Sequence, residues 1–287
     1  MMSLLKRFWE DIYLHMVKLM LKQVRRSLLL WWVLIGQSFS RVIAYRAQSI
    51  IWLLGGIMPI AVMFVWLGLA KEGEIGSYTA SDFAVYFLSI YLVRQLTAIW
   101  VMRRLDRDIR RGELSMLLLR PVSPLYNYVS DHVGEMMVRG PIISLVFILG
   151  ILLTGNLHRL DIRNLLIFIP ALALAWIIIF HLYYCLGLLA FWISNSMAFD
   201  PLLWALYTIL GGVLIPLDLY PENVASWLKL LPFASALDFP VQIILGKLDG
   251  LLLLIGFGVQ LFWVILLTCI RVLLWNAGLK RYSASGA

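Results

Sequence analysis

Asp131, His132 and Glu135 are the nearest the sequence comes to a reactive grouping: carboxylate, imidazole and carboxylate at i, i+1 and i+4. Such groups could relay a proton or hold a metal. On a helix, though, this spacing puts Asp131 and Glu135 side by side next to a charged loop, and the reading adopted is a water-facing helix side. His15, His158 and His181 fall on unrelated segments, with no HExxH-type metal spacing. There is no GxSxG elbow, no pair of carboxylates inside an apolar run, and no GxxxxGK[ST] phosphate cradle. Cys185 and Cys269 both sit in apolar runs and read as packing residues rather than a disulfide or metal pair. The sequence therefore nominates no catalytic residue and no metal ligand, and an enzyme is disfavoured.

Two isolated charges are more telling. Arg94 and Arg139 each interrupt an apolar stretch. A buried arginine costs a few kcal/mol even on the lenient insertion scale, so each must face protein, water or a membrane edge. Arg139, just after a charged loop, reads as reaching back to head groups; Arg94 reads equally as that or as lining an inner cavity. His181, Tyr183 and Tyr184 mark the middle of another run and fit either packing aromatics or a substrate contact.

The elements that must carry these residues are membrane spans. The chain has 287 residues, of which 62% are hydrophobic and 14% charged. Globular chains average about 45–50% apolar and about 25% charged residues, so the surplus exceeds what one soluble core can hide. The formal net charge of +8 then means either a nucleic-acid footprint or the inner loops of a membrane protein. A bilayer core about 30 Å thick needs roughly 20 helical residues. Six stretches qualify: 47–70, 83–102, 136–155, 165–193, 200–217 (broken by Gly211-Gly212 and Pro216) and 250–270.

The positions of the basic residues orient this layout. Eight precede the first span, six lie between spans two and three, none between four and five, and three follow span six. The alternate loops carry only Lys71, Arg159, Arg163, Lys229 and Lys247. Seventeen against five places both termini in the cytoplasm, and nucleic-acid binding loses its main support. The 14 uncharged residues 27–40 tempt a seventh span, but they are short and basic on both sides. Residues 3–40 read instead as interfacial helices, with Leu5, Trp9, Ile12, Met16 and Leu19 as the apolar stripe. The first 26 residues are charged throughout and show no cleavable signal. The expected domains are an interfacial segment 1–46, a six-span body 47–275 and a cytoplasmic tail 276–287.

Between spans two and three, a charged helix from Arg103 to Glu113 should end at Gly112. A short apolar run follows, Leu114 and Met116 to Leu119, stopped by Arg120-Pro121 and Ser123-Pro124. It is too short to span and suits either a partner's groove or the lipid surface.

The ordered set of Tyr45-Arg46, Tyr91-Leu-Val-Arg94-Gln95-Leu-Thr97, Ile109-Arg-Arg-Gly112-Glu113-Leu-Ser115 and Leu117-Leu-Leu-Arg120-Pro121-Val-Ser123-Pro124 looks familiar. So does Gly211-Gly212-Val-Leu-Ile-Pro216 with Tyr220-Pro221, Leu231-Pro232-Phe233 and Phe239-Pro240. Over about residues 30–275 the chain resembles permease subunits of type 2 ABC exporters, most closely the daunorubicin-resistance-like subgroup. That resemblance implies an all-α membrane protein of the bacterial cytoplasmic membrane, with six spans and an N-terminal interfacial helix. It also implies a cytoplasmic coupling helix, and re-entrant helices between spans five and six. The chain itself would bind no cofactor; ATP and Mg would belong to a separate ATPase subunit, in two copies. A second permease copy or a paired paralogue would complete the transporter.

By the same resemblance, the ATPase-coupling segment is Gly112, Glu113, Leu117, Leu118, Leu119, Arg120, Pro121 and Pro124, with Leu117–Leu119 as the knob buried in the partner. The re-entrant piece is 216–240, with Trp227, Leu228, Leu230 and Leu231 as its apolar face. Arg94, His181, Gly211, Gly212, Pro216 and Trp227 are the candidates for a translocation path or gate. The cargo would be amphipathic, lipid-like or glycan-like. The rival is an ion-coupled transporter or channel, which would need acidic residues within the spans; there are almost none, Asp200 lying at an end.

Overall fold

The computed structural model describes residues 29–43 and 56–282. The N-terminal stripe, Tyr45-Arg46 and the first half of the expected first span lie outside them. Among the described residues every regular element is a helix, apart from one isolated antiparallel bridge between Ile75 and Tyr78. In chain order these are α1 (Leu29–Ile43), α2 (Met58–Leu69), α3 (Ala80–Thr97) and α4 (Val101–Arg110). Then come α5 (Leu114–Leu118), α6 (Pro124–Leu153), α7 (Ile162–Leu188) and α8 (Asp200–Leu210). Three short helices follow, α9 (Glu222–Lys229), α10 (Pro232–Ala236) and α11 (Asp238–Ile244). The long α12 (Gly250–Arg281) closes the chain.

Among the described residues four segments are long and apolar enough to cross a membrane: Ala80–Arg110, Pro124–Leu153, Ile162–Phe191 and Gly250–Arg281. The expected first and fifth spans correspond to α2 and α8, of 12 and 11 residues. At 1.5 Å per residue these rise only about 16–18 Å, short of a bilayer core.

Local signals place the helix starts. Pro occupies the first turn of α2, α6, α8 and α10, where its missing N–H has no intrahelical partner to lose. At α3, Thr79 and Asp82 form a reciprocal capping box: Asp82 N donates to Thr79 Oγ1 at 3.2 Å and Thr79 N to Asp82 Oδ2 at 2.8 Å. Asp82 also pairs with Arg159, fixing the start of α3 to the turn between α6 and α7.

The core is built around α3, whose residues from Phe83 to Val93 are all buried. It packs against α2, α6, α7 and α11, and α7 in turn packs on α4 and α12. At one end the rings of Trp66, Phe83, Tyr78, Tyr86 and Phe87 stack or meet edge-on at centroid distances of 4.9–6.4 Å. Gln260 of α12 is fully buried and donates to Ala171 O (3.0 Å) and Ser235 O (2.9 Å), tying α12 to α7 and α10. Outward faces remain apolar, as with Leu145, Ile148 and Leu149 on α6 and Leu251, Leu254 and Ile265 on α12. Such exposed stripes on long helices are what lipid would cover.

Candidate functional site

Contacts divide the segments that connect the long helices between two ends of the molecule. Residues 101–124, 189–199 and 282 gather at one, here called the basic end; residues 70–79, 154–161 and 211–249 gather at the other. The expected coupling segment lies at the basic end.

There α4 shows how a charged sequence makes a buried scaffold. Val101, Met102, Leu105 and Ile109 face inward, while Arg103, Arg107 and Arg110 face out. Two acids turn inward with the apolar face. Asp106, 1% exposed, accepts from Ser196 N (3.1 Å) and Oγ (2.7 Å), and pairs with Arg110 at 2.6 Å. Asp108, 4% exposed, accepts from Tyr128 Oη at 2.9 Å. Arg104 lies over the Tyr128 ring at 5.4 Å and is ion-paired with Asp131. Asp131 also accepts from Ser38 Oγ (2.7 Å) and Arg41 Nη1 (3.3 Å), so it fastens α1 to α4 and α6.

Gly134 makes this fastening possible. A Cβ there would run into Ser38 Cβ and the backbone N of Phe39, so α1 crosses α6 backbone against side chain. Gly134→Leu is therefore expected to lift α1 from α6. Limited proteolysis of the detergent-solubilised chain should then cut within Leu29–Ile43 faster in Gly134→Leu than in the parent, and an unchanged rate would contradict the close crossing.

Beyond α4, Gly112 takes φ +74°, a backbone region costly for residues with a Cβ, and turns the chain into α5. Within α5, Leu114 (0% exposed) and Leu117 (8%) seat the helix on the bundle. Ser115 N donates to Tyr282 Oη at 3.2 Å, with the two hydroxyls 3.1 Å apart, so the end of α12 holds α5 from the side. What remains outside is Met116 (68% exposed), Leu118 (39%) and Leu119 (82%). Glu113, Arg111, Arg120 and Pro121 stand exposed around them, and Pro124 is buried as the first residue of α6. The expected knob is thus corrected in its first member: Leu117 is consumed by the protein's own packing, and Met116 takes its place outside. The spacing of Leu114 and Leu117, one helical turn apart, carried that information. A cleft of about 470 Å³ lies beside the knob between α1, α4, α5 and α6, where Arg41, Arg104, Arg107 and Arg120 alternate with Asp108, Glu113, Asp131 and Glu135.

The water-facing reading of Asp131, His132 and Glu135 fails for the histidine. His132 is 7% exposed and its ring stacks on Trp176 at 5.1 Å, because position i+1 points away from its two neighbours into the bundle. Arg139 does not reach for head groups either. It is 5% exposed and pairs with Glu135, one turn back on α6, at 3.2 Å, the local carboxylate being nearer than any interface. Both cysteines are free, Cys185 buried and Cys269 exposed.

The six path candidates do not come together. Arg94, half-buried near the end of α3, points to the Trp204 ring (5.6 Å) and Met58 Sδ (3.8 Å), with no carboxylate in ion-pair reach among the described residues. His181 engages both ring nitrogens within the chain, Nδ1 with Ile177 O at 2.7 Å and Nε2 with Thr268 Oγ1 at 3.3 Å. Gly211 ends α8, Gly212 has φ +85° and its carbonyl accepts from Tyr86 Oη (2.9 Å), and Pro216 opens the next turn. Trp227 stands 75% exposed on α9.

Sequence reasoning missed a second polar cluster, at the end opposite the basic one. Asp218 Oδ1 accepts from Lys229 Nζ (2.7 Å), and its Oδ2 from Tyr78 Oη (2.8 Å) and Gln242 Nε2 (3.0 Å). Asp238, 3% exposed, accepts from Gln242 Nε2 (3.1 Å) and Tyr86 Oη (3.3 Å). Burial and the neighbouring Asp218 charge push the Asp238 carboxyl up to about 7. Asp218 is pushed up by burial but pulled further down by the Lys229 hydrogen bond and charge, so it stays ionised.

A carboxyl with a raised folded-state value favours folding most when protonated. Its stabilisation is complete below the unfolded value near 4 and is lost as pH climbs towards 7. The thermal unfolding midpoint of the detergent-solubilised chain should therefore fall between pH 5 and pH 8. Asp238→Asn should flatten that slope; an unchanged slope would locate the titration elsewhere.

A family model described as "ABC-2 family transporter protein" matches residues 50–286. No curated protein matches the chain.

Proposed function

This chain belongs to the ABC-2 family of transporter proteins as a multi-pass membrane permease subunit, and from that premise we propose that it is half of an ATP-driven exporter. Hydrolysis is assigned to two copies of a separate ATPase, which bind ATP and Mg, and this chain pairs with a second copy or a permease paralogue. The observation that carries the reading is the presentation of Met116, Leu118 and Leu119 on a short helix seated by Leu114 and Leu117 and held by Tyr282. An exposed apolar knob on a rigid seat, ringed by charge, is what a partner's groove takes up.

In this reading the basic end is cytoplasmic, both termini lie on the cytoplasmic side of the bacterial cytoplasmic membrane, and Gly112–Pro124 is the coupling segment. The domains are an interfacial 1–46, a membrane body 47–275 and a tail 276–287. Six crossings are reached with the expected first and fifth spans, 47–70 and 200–217, of which α2 and α8 are the described helical parts. The turns and short helices of 216–240 fold back from the outside, and Gly211, Gly212, Pro216 and Trp227 lie at or near that gate. Closure of the ATPases pushes α5. Because Tyr282 ties α5 to α12, and Asp106, Asp108 and Asp131 tie α4 to its neighbours, the push moves the helices as a block and rocks the two halves between inward and outward openings. The cargo is amphipathic, lipid-like or glycan-like. Affinity purification of the full chain from its native membrane tests the reading: a chain bearing GxxxxGK[ST] should co-purify in about equal amount, and purification without one from mild detergent would contradict it.

A further inference from the structure

The polar cluster at the end opposite α5 borders a cavity of about 500 Å³ between α9, α10, α11 and the start of α12. The cavity is divided chemically. Asp218, Lys229, Asp238, Gln242 and Lys247 form one end. Leu252, Ile255 and Val259, three to four residues apart on one face of α12, line the other with Phe239 and with Leu248 from the loop before the helix. From Leu252 to Val259 that face runs about 10 Å along α12.

Among the described residues, the charges and hydrogen-bonding groups around the cavity do not balance. Asp218 is committed to Lys229, Tyr78 and Gln242 through both oxygens. Lys247 approaches the same carboxylate only to 4.0 Å; its ammonium rests 3.2 Å over the Tyr78 ring, is shielded from solvent, and has no hydrogen-bond acceptor. Asp82, a second acid whose charge reaches Lys247, is paired with Arg159. Asp238 is engaged by Gln242 and Tyr86, and burial and the Asp218 charge favour its neutral form. Two ammonium groups thus share one committed carboxylate. Gln242 Oε1, also buried, has no donor.

We propose that this cavity binds a phospholipid with an anionic, hydroxyl-bearing head group, its phosphate on Lys247, a hydroxyl donating to Gln242 Oε1, and one acyl chain along the Leu252–Val259 face. The apolar wall selects a lipid over a free phosphate, and the unshared ammonium selects an anionic lipid over a zwitterionic one. That the cavity meets the outer leaflet rests on the orientation proposed above; its head-group preference does not.

The test uses the full chain in detergent with equimolar dioleoylphosphatidylglycerol and dioleoylphosphatidylcholine, the lipids retained being read by native mass spectrometry. The parent should retain phosphatidylglycerol roughly ten-fold over phosphatidylcholine: both carry the phosphate, but only the former brings a hydroxyl for Gln242 Oε1 and no further cation beside Lys229 and Lys247. Lys247→Gln should abolish that preference. Leu252→Trp, at an exposed position that leaves the charges intact, should lower phosphatidylglycerol retention by occupying the acyl trough. Equal retention of the two lipids by the parent, or an unchanged preference in Lys247→Gln, would overturn the site. So would displacement of the lipid by millimolar glycerol 3-phosphate, which would show a head-group site without a chain. Ser77→Cys, at the cavity rim, reports sidedness separately: labelling only from the cytoplasmic side would overturn the orientation and leave the lipid preference standing.

Discussion

Leu119→Asp should abolish association with the proposed ATPase partner while leaving the chain folded in the membrane. Leu119 is 82% exposed, so the substitution removes no internal packing. On docking, the loss is double: about 1.5–3 kcal/mol of apolar burial disappears, and a carboxylate must be desolvated without a partner. Together these exceed 3 kcal/mol, an affinity drop of at least about a hundred-fold. Met116→Asp should act similarly and Leu118→Asp less, following their exposures of 68% and 39%. Leu117→Ala should behave differently. Leu117 is 8% exposed and seats α5, so its truncation should lower the melting temperature through a cavity of about 2–4 kcal/mol, and weaken association only indirectly. Co-purification yield and size-exclusion profile of each variant separate the two classes.

Asp106→Ala should be the most damaging single change at the basic end for stability. The carboxylate is 1% exposed, accepts two hydrogen bonds from Ser196 and pairs with Arg110. Alanine leaves a buried N–H and hydroxyl without an acceptor and opens a small void. Unsatisfied buried donors cost about 1–3 kcal/mol each, so a loss of about 3 kcal/mol is expected. Asp106→Asn keeps an oxygen for Ser196 and should recover roughly half. Unfolding of the detergent-solubilised chain, followed by tryptophan fluorescence against temperature, reads both. Because Asp106 joins α4 to the turn after α7, its loss should also uncouple ATP hydrolysis from transport before the partner is lost.

Composition and the lengths of the apolar runs made the helical, multi-pass character legible, since hydrophobic length depends on the bilayer rather than on tertiary detail. The helix break at Gly112 and the short helix after it were legible for the same kind of reason, glycine and proline acting through local backbone geometry. What stayed hidden depends on which side chain meets which across the fold. Nothing near Asp106 in sequence announces Ser196, 90 residues away, and nothing near Gly134 announces Ser38. Arg139 looked free to reach an interface because its partner, Glu135, had been grouped with Asp131 and His132. The acids of the opposite end, Asp218 and Asp238, lie between spans and so escaped a search confined to the spans. The helical phase of Leu114, Leu117 and Leu119, by contrast, was present in the sequence and separates the seated residues from the exposed ones.

The central claim, that α5 is the surface on which a separate ATPase acts, is tested most directly by a photo-cross-linking residue placed at position 119 in the full chain, expressed in its native membrane. Illumination should join the permease to a polypeptide bearing GxxxxGK[ST], while the same probe at position 265, on the lipid-facing side of α12, should not. Cross-links from position 119 to lipid alone, in a chain that is folded and inserted, would contradict the account.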